Sequence, residues 1–231
     1  MLHASGLWKN YGPVPALRGV DLTLEKGRVT ALLGENGAGK TTTLKIILGF
    51  LIPDAGTVQR RPGRVGYVPD QPAFFPWLRG RALMDLTRRA LGITELEWGP
   101  RVQALCRDLR FEPGLLDRPP RTYSAGNAKK FAFIQSLALE PDLLVADEPF
   151  SALDPPSVKS ARDLLAAARD RGAALLLSSH MLAEMMRLSD NFIVMRRGEV
   201  VARSGLGEFL ERVRPAGAGD LESAFLSLMQ G

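Results

Sequence analysis

Apolar and polar positions change rhythm along this chain, and the changes outline its elements. VDLTLEKG, Val20 to Gly27, alternates apolar and polar residues, as a strand with one buried face does. RVTALLG, Arg28 to Gly34, is a compact apolar strand ending in glycine, and KTTTLKIILGF, Lys40 to Phe50, reads as a helix. Beyond GRVGYVP, Gly63 to Pro69, the period lengthens. RALMDLTRRALG, Arg81 to Gly92, and RVQALCRDLRF, Arg101 to Phe111, space leucines three and four apart, with arginines opposite, as amphipathic helices do. Strands return with DLLVADEP, Asp142 to Pro149, a buried run ending in two carboxylates. A helix over Pro155 to Arg171 leads to the strand AALLLSSH, Ala173 to His180, and NFIVMRRG, Asn191 to Gly198, is a further strand.

Strands alternating with helices indicate an α/β fold whose mainly parallel sheet is covered on both faces. The helical rhythm marks residues 74–140 as a lobe inserted into a core formed by 1–73 and 141–204, with 205–231 left for short C-terminal helices. PAGAG, Pro215 to Gly219, is the expected linker to a final amphipathic helix. No internal repeat is visible, and no further regulatory domain is expected after Gly198.

With 231 residues, 45% hydrophobic and 24% charged, the chain can bury a full core, which excludes disorder. A spanning helix needs about 20 mostly apolar residues; the apolar runs here, such as AALLL, are far shorter. The first residues lack the apolar region of a signal peptide, and the single Cys106 has no internal partner for a disulfide, so the expected compartment is reducing and cytoplasmic. The net charge of +5 is spread along the chain rather than gathered in a tail, and no nucleic acid is expected as a partner.

The strongest chemical pattern is GENGAGKT, Gly34 to Thr41, which satisfies G-x-x-x-x-G-K-[ST] between an apolar strand and a helix. Its glycines let the backbone curl until successive N–H groups face phosphate oxygens, and the helix start adds about half a positive charge. Lys40 reaches the β- and γ-phosphates and Thr41 is a Mg²⁺ ligand; Gly34, Asn36, Gly37, Gly39 and Thr42 complete the phosphate-binding set.

LLVADEP then delivers Asp147 to a sheet edge as a Mg²⁺ ligand, while Glu148 leaves in another direction and suits the attacking water. TYSAGNAKKF, Thr122 to Phe131, combines a hydroxyl at Ser124, a glycine at Gly126 that permits close approach, and a helix N-terminus fit for an anion. A plain serine cap is the structural alternative.

From Tyr11 to about Gly198 the chain resembles the ATP-binding subunit of an ABC transporter, because several separate motifs stand in that family's order. The resemblance implies a P-loop NTPase core with an N-terminal antiparallel β-subdomain and an inserted α-helical subdomain. It implies ATP and Mg²⁺ as cofactors, and a second ATP-binding subunit, identical or related, as head-to-tail partner. YSAGN, Tyr123 to Asn127, stands at the family's Leu-Ser-Gly-Gly-Gln position, so Ser124, Gly126 and Asn127 would close on the ATP held by the other chain. Tyr123, Ala125 and Asn127 depart from that pattern, and weakened or re-tuned closure is expected.

The resemblance also makes Tyr11 the adenine-stacking aromatic, with a core or turn role as the alternative, and His180 the γ-phosphate switch. With Lys40 and Glu148, His180 forms the catalytic set. SALDP, Ser151 to Pro155, matches the loop that crosses the dimer interface, and Asp154 also reads as a helix cap. The glutamine that senses Mg²⁺ in the family is replaced by Asp70, with Gln71 next to it, and either could serve. PAFFPWL, Pro72 to Leu78, is lobe core or a groove for a membrane subunit's helix, and Phe74, Phe75 and Trp77 cannot all face one way. The implied activity is ATP hydrolysis that drives separately encoded integral membrane subunits, in export, from the inner face of the membrane; the alternative is a soluble ABC-type nucleotide switch or a nucleic-acid-associated ATPase with no transport role.

Overall fold

The computed structural model describes residues 2–61 and 63–213, apart from the side chains of 212 and 213. The expected final helix beyond the PAGAG linker lies outside them. The chain divides into two compact units, one made of Met1–Pro62 with Ala174–Gly231 and the other of Gly63–Ala173.

The first unit has an antiparallel sheet of β1 (Leu2–Tyr11), β2 (Val14–Leu24) and β4 (Ala55–Arg60), in the order β2-β1-β4. Alternation holds in β2, where Val20, Leu22 and Leu24 are buried and Thr23 is exposed. A second sheet of this unit places β7 (Ala174–Ser179) beside β3 (Val29–Leu33), then β8 (Asn191–Arg196) and β9 (Glu199–Gly205). Within it β3 runs parallel to both neighbours, while β9 returns antiparallel to β8. All residues of β3 and β7 are buried, which explains their continuous apolar runs: a strand covered on both faces has no side to leave polar. Arg197 and Gly198 both take positive φ, 48° and 83°, in the two-residue turn from β8 to β9.

Helix α1 (Lys40–Leu48) follows β3 and stops two residues before the expected end, because Gly49 takes the left-handed C-cap at φ 79°. Helices α6 (Leu182–Leu188) and α7 (Leu206–Val213) also belong to this unit.

The second unit pairs β5 (Val65–Val68) with β6 (Leu143–Asp147) in parallel and contains α2 (Gly80–Ala90), α3 (Glu95–Asp108), α4 (Ala125–Leu137) and α5 (Pro155–Asp170). Helix α3 begins six residues earlier than its leucine pattern indicates and runs through Pro100. Proline inside a helix removes a hydrogen bond and normally marks a boundary. Here a capping box between Thr94 and Glu97 and the burial of Trp98 hold the extra turn in place. None of the described helices is long and apolar enough to cross a membrane.

Candidate functional site

The phosphate loop lies between β3 and α1, in the first unit. Gly34 and Gly39 have φ of 156° and 103°. A Cβ on Gly34 would stand 2.5 Å from the Met195 carbonyl oxygen, and one on Gly39 would stand 2.8 Å from both the Ala16 oxygen and Leu17 Cδ2. Only glycine fits either position. The loop is also pinned from behind, since Gly198 N donates to Ala38 O at 3.0 Å and Ala38 N to Glu35 O at 3.1 Å.

Helix α1 starts at Gly39 without a side-chain cap. By contrast, Thr94, Ser124 and Asp154 cap α3, α4 and α5 with their side chains. A glycine at the cap leaves the positive helix start to serve an anion. The Lys40 ammonium is held over the loop by donating to Gly34 O at 2.6 Å and Glu35 O at 3.1 Å. Asn36, Gly37 and Thr41 are exposed, and Thr42 is half-buried.

His180 follows β7 directly and is exposed. Because Leu33 pairs with Ser179, Gly34 and His180 leave the same carboxyl edge on adjacent strands. Tyr11, also in this unit, ends β1 and is 51% exposed.

In the second unit the same logic acts on β5 and β6. Val68 pairs with Ala146, so the Pro69-Asp70 and Asp147-Glu148 segments leave one carboxyl edge together. Asp147 is buried, while Glu148 is half-buried with φ 45°. A positive φ at a non-glycine residue costs on the order of 1–3 kcal/mol and needs surrounding contacts to hold it. Those contacts include Ser151, whose N and Oγ donate to Glu148 O at 3.2 and 2.9 Å, and Lys129, whose Nζ donates to the same oxygen at 3.0 Å.

Asp70 and Gln71 part company here. Ser151 Oγ lies 2.9 Å from Asp70 Oδ1 and Lys129 Nζ lies 3.8 Å from it, whereas Gln71 is exposed and lines a cleft with Tyr67, Phe74 and Leu83. Burial, followed by the charges of Asp147 and Asp70, pushes the Tyr67 phenol up to about 12. Burial pulls the Lys129 ammonium down to about 8, against the opposing charges of Asp70, Asp147 and Glu148.

Ser124 caps α4 by accepting from Asn127 N at 3.2 Å, so the structural use of this serine is present. It remains exposed, with Gly126 and Asn127 half-buried behind it. Tyr123 turns the other way: its hydroxyl donates to Leu115 O at 2.7 Å and its ring meets Phe131 edge-on at 5.7 Å. Asp154 caps α5 through Ser157 N at 2.8 Å, as its place before two prolines indicates. Phe74, half-buried, packs edge-on against Phe131 at 5.0 Å, while Phe75 and Trp77 are exposed, which separates the packed residue of this segment from its surface residues.

Sequence reasoning passed over Lys129 and the Ser151 hydroxyl. A signal was present: Lys129, Phe133 and Ser136 fall at i, i+4 and i+7 and are all buried, so a lysine shares one buried helix face with an aromatic ring and a hydroxyl.

The ABC transporter family model matches residues 17–151. The ABC-type transporter ATP-binding protein EcsA of Bacillus subtilis (strain 168) is 31% identical over 92% of this chain and 90% of its own length. The nickel import ATP-binding protein NikO of Rhodobacter capsulatus is 36% identical, covering 87% and 88% of the two chains. The Nod factor export ATP-binding protein I of Ralstonia nicotianae is 33% identical, covering 88% and 66%. Among solved structures, one described as an ATP binding subunit of an ABC transporter superposes over 99% of both chains with a TM-score of 0.89 and 29% identity. A dimeric post-hydrolysis ATP-binding cassette bound to ADP and Pi matches over 89% of this chain and 99% of its own, at a TM-score of 0.81 and 22% identity, and shares the fold. Motif order, glycine cradle and these likenesses agree: the chain belongs to the ABC transporter family, as an ATP-binding subunit and an ATPase.

Proposed function

We propose that two copies of this chain, or one copy and a related subunit, bind two MgATP at a head-to-tail interface and that their closure drives separately encoded membrane subunits in export. The observation that carries this reading is the uncapped start of α1 behind two glycines that admit no side chain, with His180 on the next strand. Lys40 and the loop N–H groups hold the β- and γ-phosphates, His180 hydrogen-bonds the γ-phosphate, and Tyr11 stacks on adenine. Glu148 orients and deprotonates the attacking water, and Ser124, Gly126 and Asn127 of each chain close on the nucleotide of the other.

Thr41 and Asp147 are hard oxygen donors that suit Mg²⁺, with Asp70 or Gln71 as the nearby sensor. These side chains would hold the ion together with oxygens of the nucleotide phosphates. Such an ion would supply charge neutralisation on the transferring phosphoryl group. Each charge-assisted hydrogen bond to the γ-phosphate contributes about 1.5–3 kcal/mol to closure. Those contacts vanish when the γ-phosphate leaves, which resets the pair.

Export is favoured by the resemblance of Gly66 to Leu86 to subunits of bacterial exporters, and exposed Phe75 and Trp77 offer the membrane subunit an aromatic surface at the cytoplasmic face of the membrane. The test is light scattering during size exclusion on Glu148→Gln protein. A monomer that dimerises only with MgATP supports the reading; a monomer that binds MgATP without pairing refutes self-closure. Turnover of Glu148→Gln should fall at least about a hundredfold.

A further inference from the structure

The side chain of Lys129 is 1% exposed, and the hydrogen bonds of its ammonium among the described residues go to backbone carbonyls rather than to a carboxylate. An ammonium has three donors, and all three are taken by backbone carbonyls: Pro69 O at 2.9 Å, Asp70 O at 2.7 Å and Glu148 O at 3.0 Å. Two of these acceptors belong to the segment after β5 and one to the turn after β6. Burying an ammonium costs several kcal/mol unless it is well solvated by protein groups, so its presence on an inward helix face calls for a purpose.

The neighbouring contacts point the same way. Ser136, two turns along the same face, donates to Tyr67 O at 2.6 Å, which fixes α4 along β5 and thereby sets the height of Lys129. Ser151 Oγ lies 2.9 Å from both Asp70 Oδ1 and Glu148 O, joining the same two segments a second time. The Asp70 carboxylate, in the slot where the family has a neutral glutamine, lies 3.8 Å from the Lys129 ammonium.

We propose that Lys129 is a positioning residue that ties the Asp70 segment to the Glu148 turn, so that the two move as one unit and Glu148 keeps its left-handed conformation. The proposal rests on the reading of Glu148 as the group that handles the attacking water. A lysine suits this task because its three donors gather carbonyls whatever side chains those loops carry, and its charge offsets that of Asp70.

The test compares Lys129→Met, of similar length without donors, with Lys129→Gln, whose amide keeps two donors. Amide hydrogen exchange in nucleotide-free protein should quicken about tenfold or more at Asp70, Gln71, Glu148 and 150–152 in Lys129→Met, with exchange in α1 unchanged. Turnover should fall by between about tenfold and a hundredfold, with KM for ATP within about twofold because the phosphate loop is untouched. Lys129→Gln should recover part of both. Exchange and kcat at parent levels in a folded Lys129→Met overturn the proposal, as does loosened exchange with undiminished kcat. If Lys129→Met does not fold, the same comparison is made on Lys129→Gln against the parent. Glu148→Gln run alongside separates the two ideas, since its unchanged turnover would remove Glu148 from the chemistry and leave exchange to decide the brace.

Discussion

The phosphate loop and the Asp70–Glu148 pair of segments both leave the carboxyl edges of parallel strands, but they are held in opposite ways. Between Gly34 and Thr41 the backbone does the work: its glycines adopt φ that other residues resist, and Lys40 bonds to carbonyls five and six residues away. The Asp70 and Glu148 segments are 78 residues apart in the chain and are joined by side chains from elsewhere, Lys129 and Ser151. The loop proposed to cradle phosphate would do so with backbone N–H groups, which every substitution except proline retains. The segment of Glu148, the carboxylate proposed to face the attacking water, is held by side-chain braces, which can be tuned.

The sharpest break of that contrast is Gly39→Ala. It forces a side chain to φ 103° and into the Ala16 carbonyl, at a conformational cost of about 1–3 kcal/mol before the clash is counted. ATP binding by calorimetry should fall by about a hundredfold or more, together with a lowered Tm. Ser151→Ala removes one of the two ties on the other side of the comparison. Turnover should drop roughly threefold to tenfold, corresponding to one hydrogen bond of about 0.5–1.5 kcal/mol, with ATP affinity unchanged by the same titration.

Tyr123→Phe keeps the ring against Phe131 and deletes the bond to Leu115 O. It should lower unfolding free energy by about 1 kcal/mol in a urea titration, while turnover stays within about twofold of the parent. The smallest effect is expected at Cys106, 2% exposed, whose thiol burial pushes up to about 11. A thiol reagent at pH 8 should label it slowly in native protein and fully in denaturant, without altering the other three outcomes.

Legibility followed the same division. The phosphate loop could be read because its chemistry is local: strand, glycines, lysine and helix are consecutive. Strands β3, β6 and β7 were visible as apolar runs, and β2 as alternation, because burial on two faces or one leaves those patterns. The start of α3 was hidden by Pro100, since a local rule that disfavours proline was overridden by the Thr94–Glu97 box and the burial of Trp98. Lys129 was hidden because its acceptors are backbone carbonyls, which every residue has and no motif can advertise.

The order of the motifs, the glycine cradle with Lys40 and Thr41, and the family to which they belong were determined by the sequence alone, through contacts between near neighbours in the chain. Tertiary structure decided that Phe74 turns inward while Phe75 and Trp77 face out, that Asp70 rather than Gln71 meets Ser151, and that Lys129 joins the Asp70 and Glu148 segments. Those outcomes depend on which distant segments pack side by side, and a carbonyl or a ring direction acquires its neighbours only when the sheet and helices assemble.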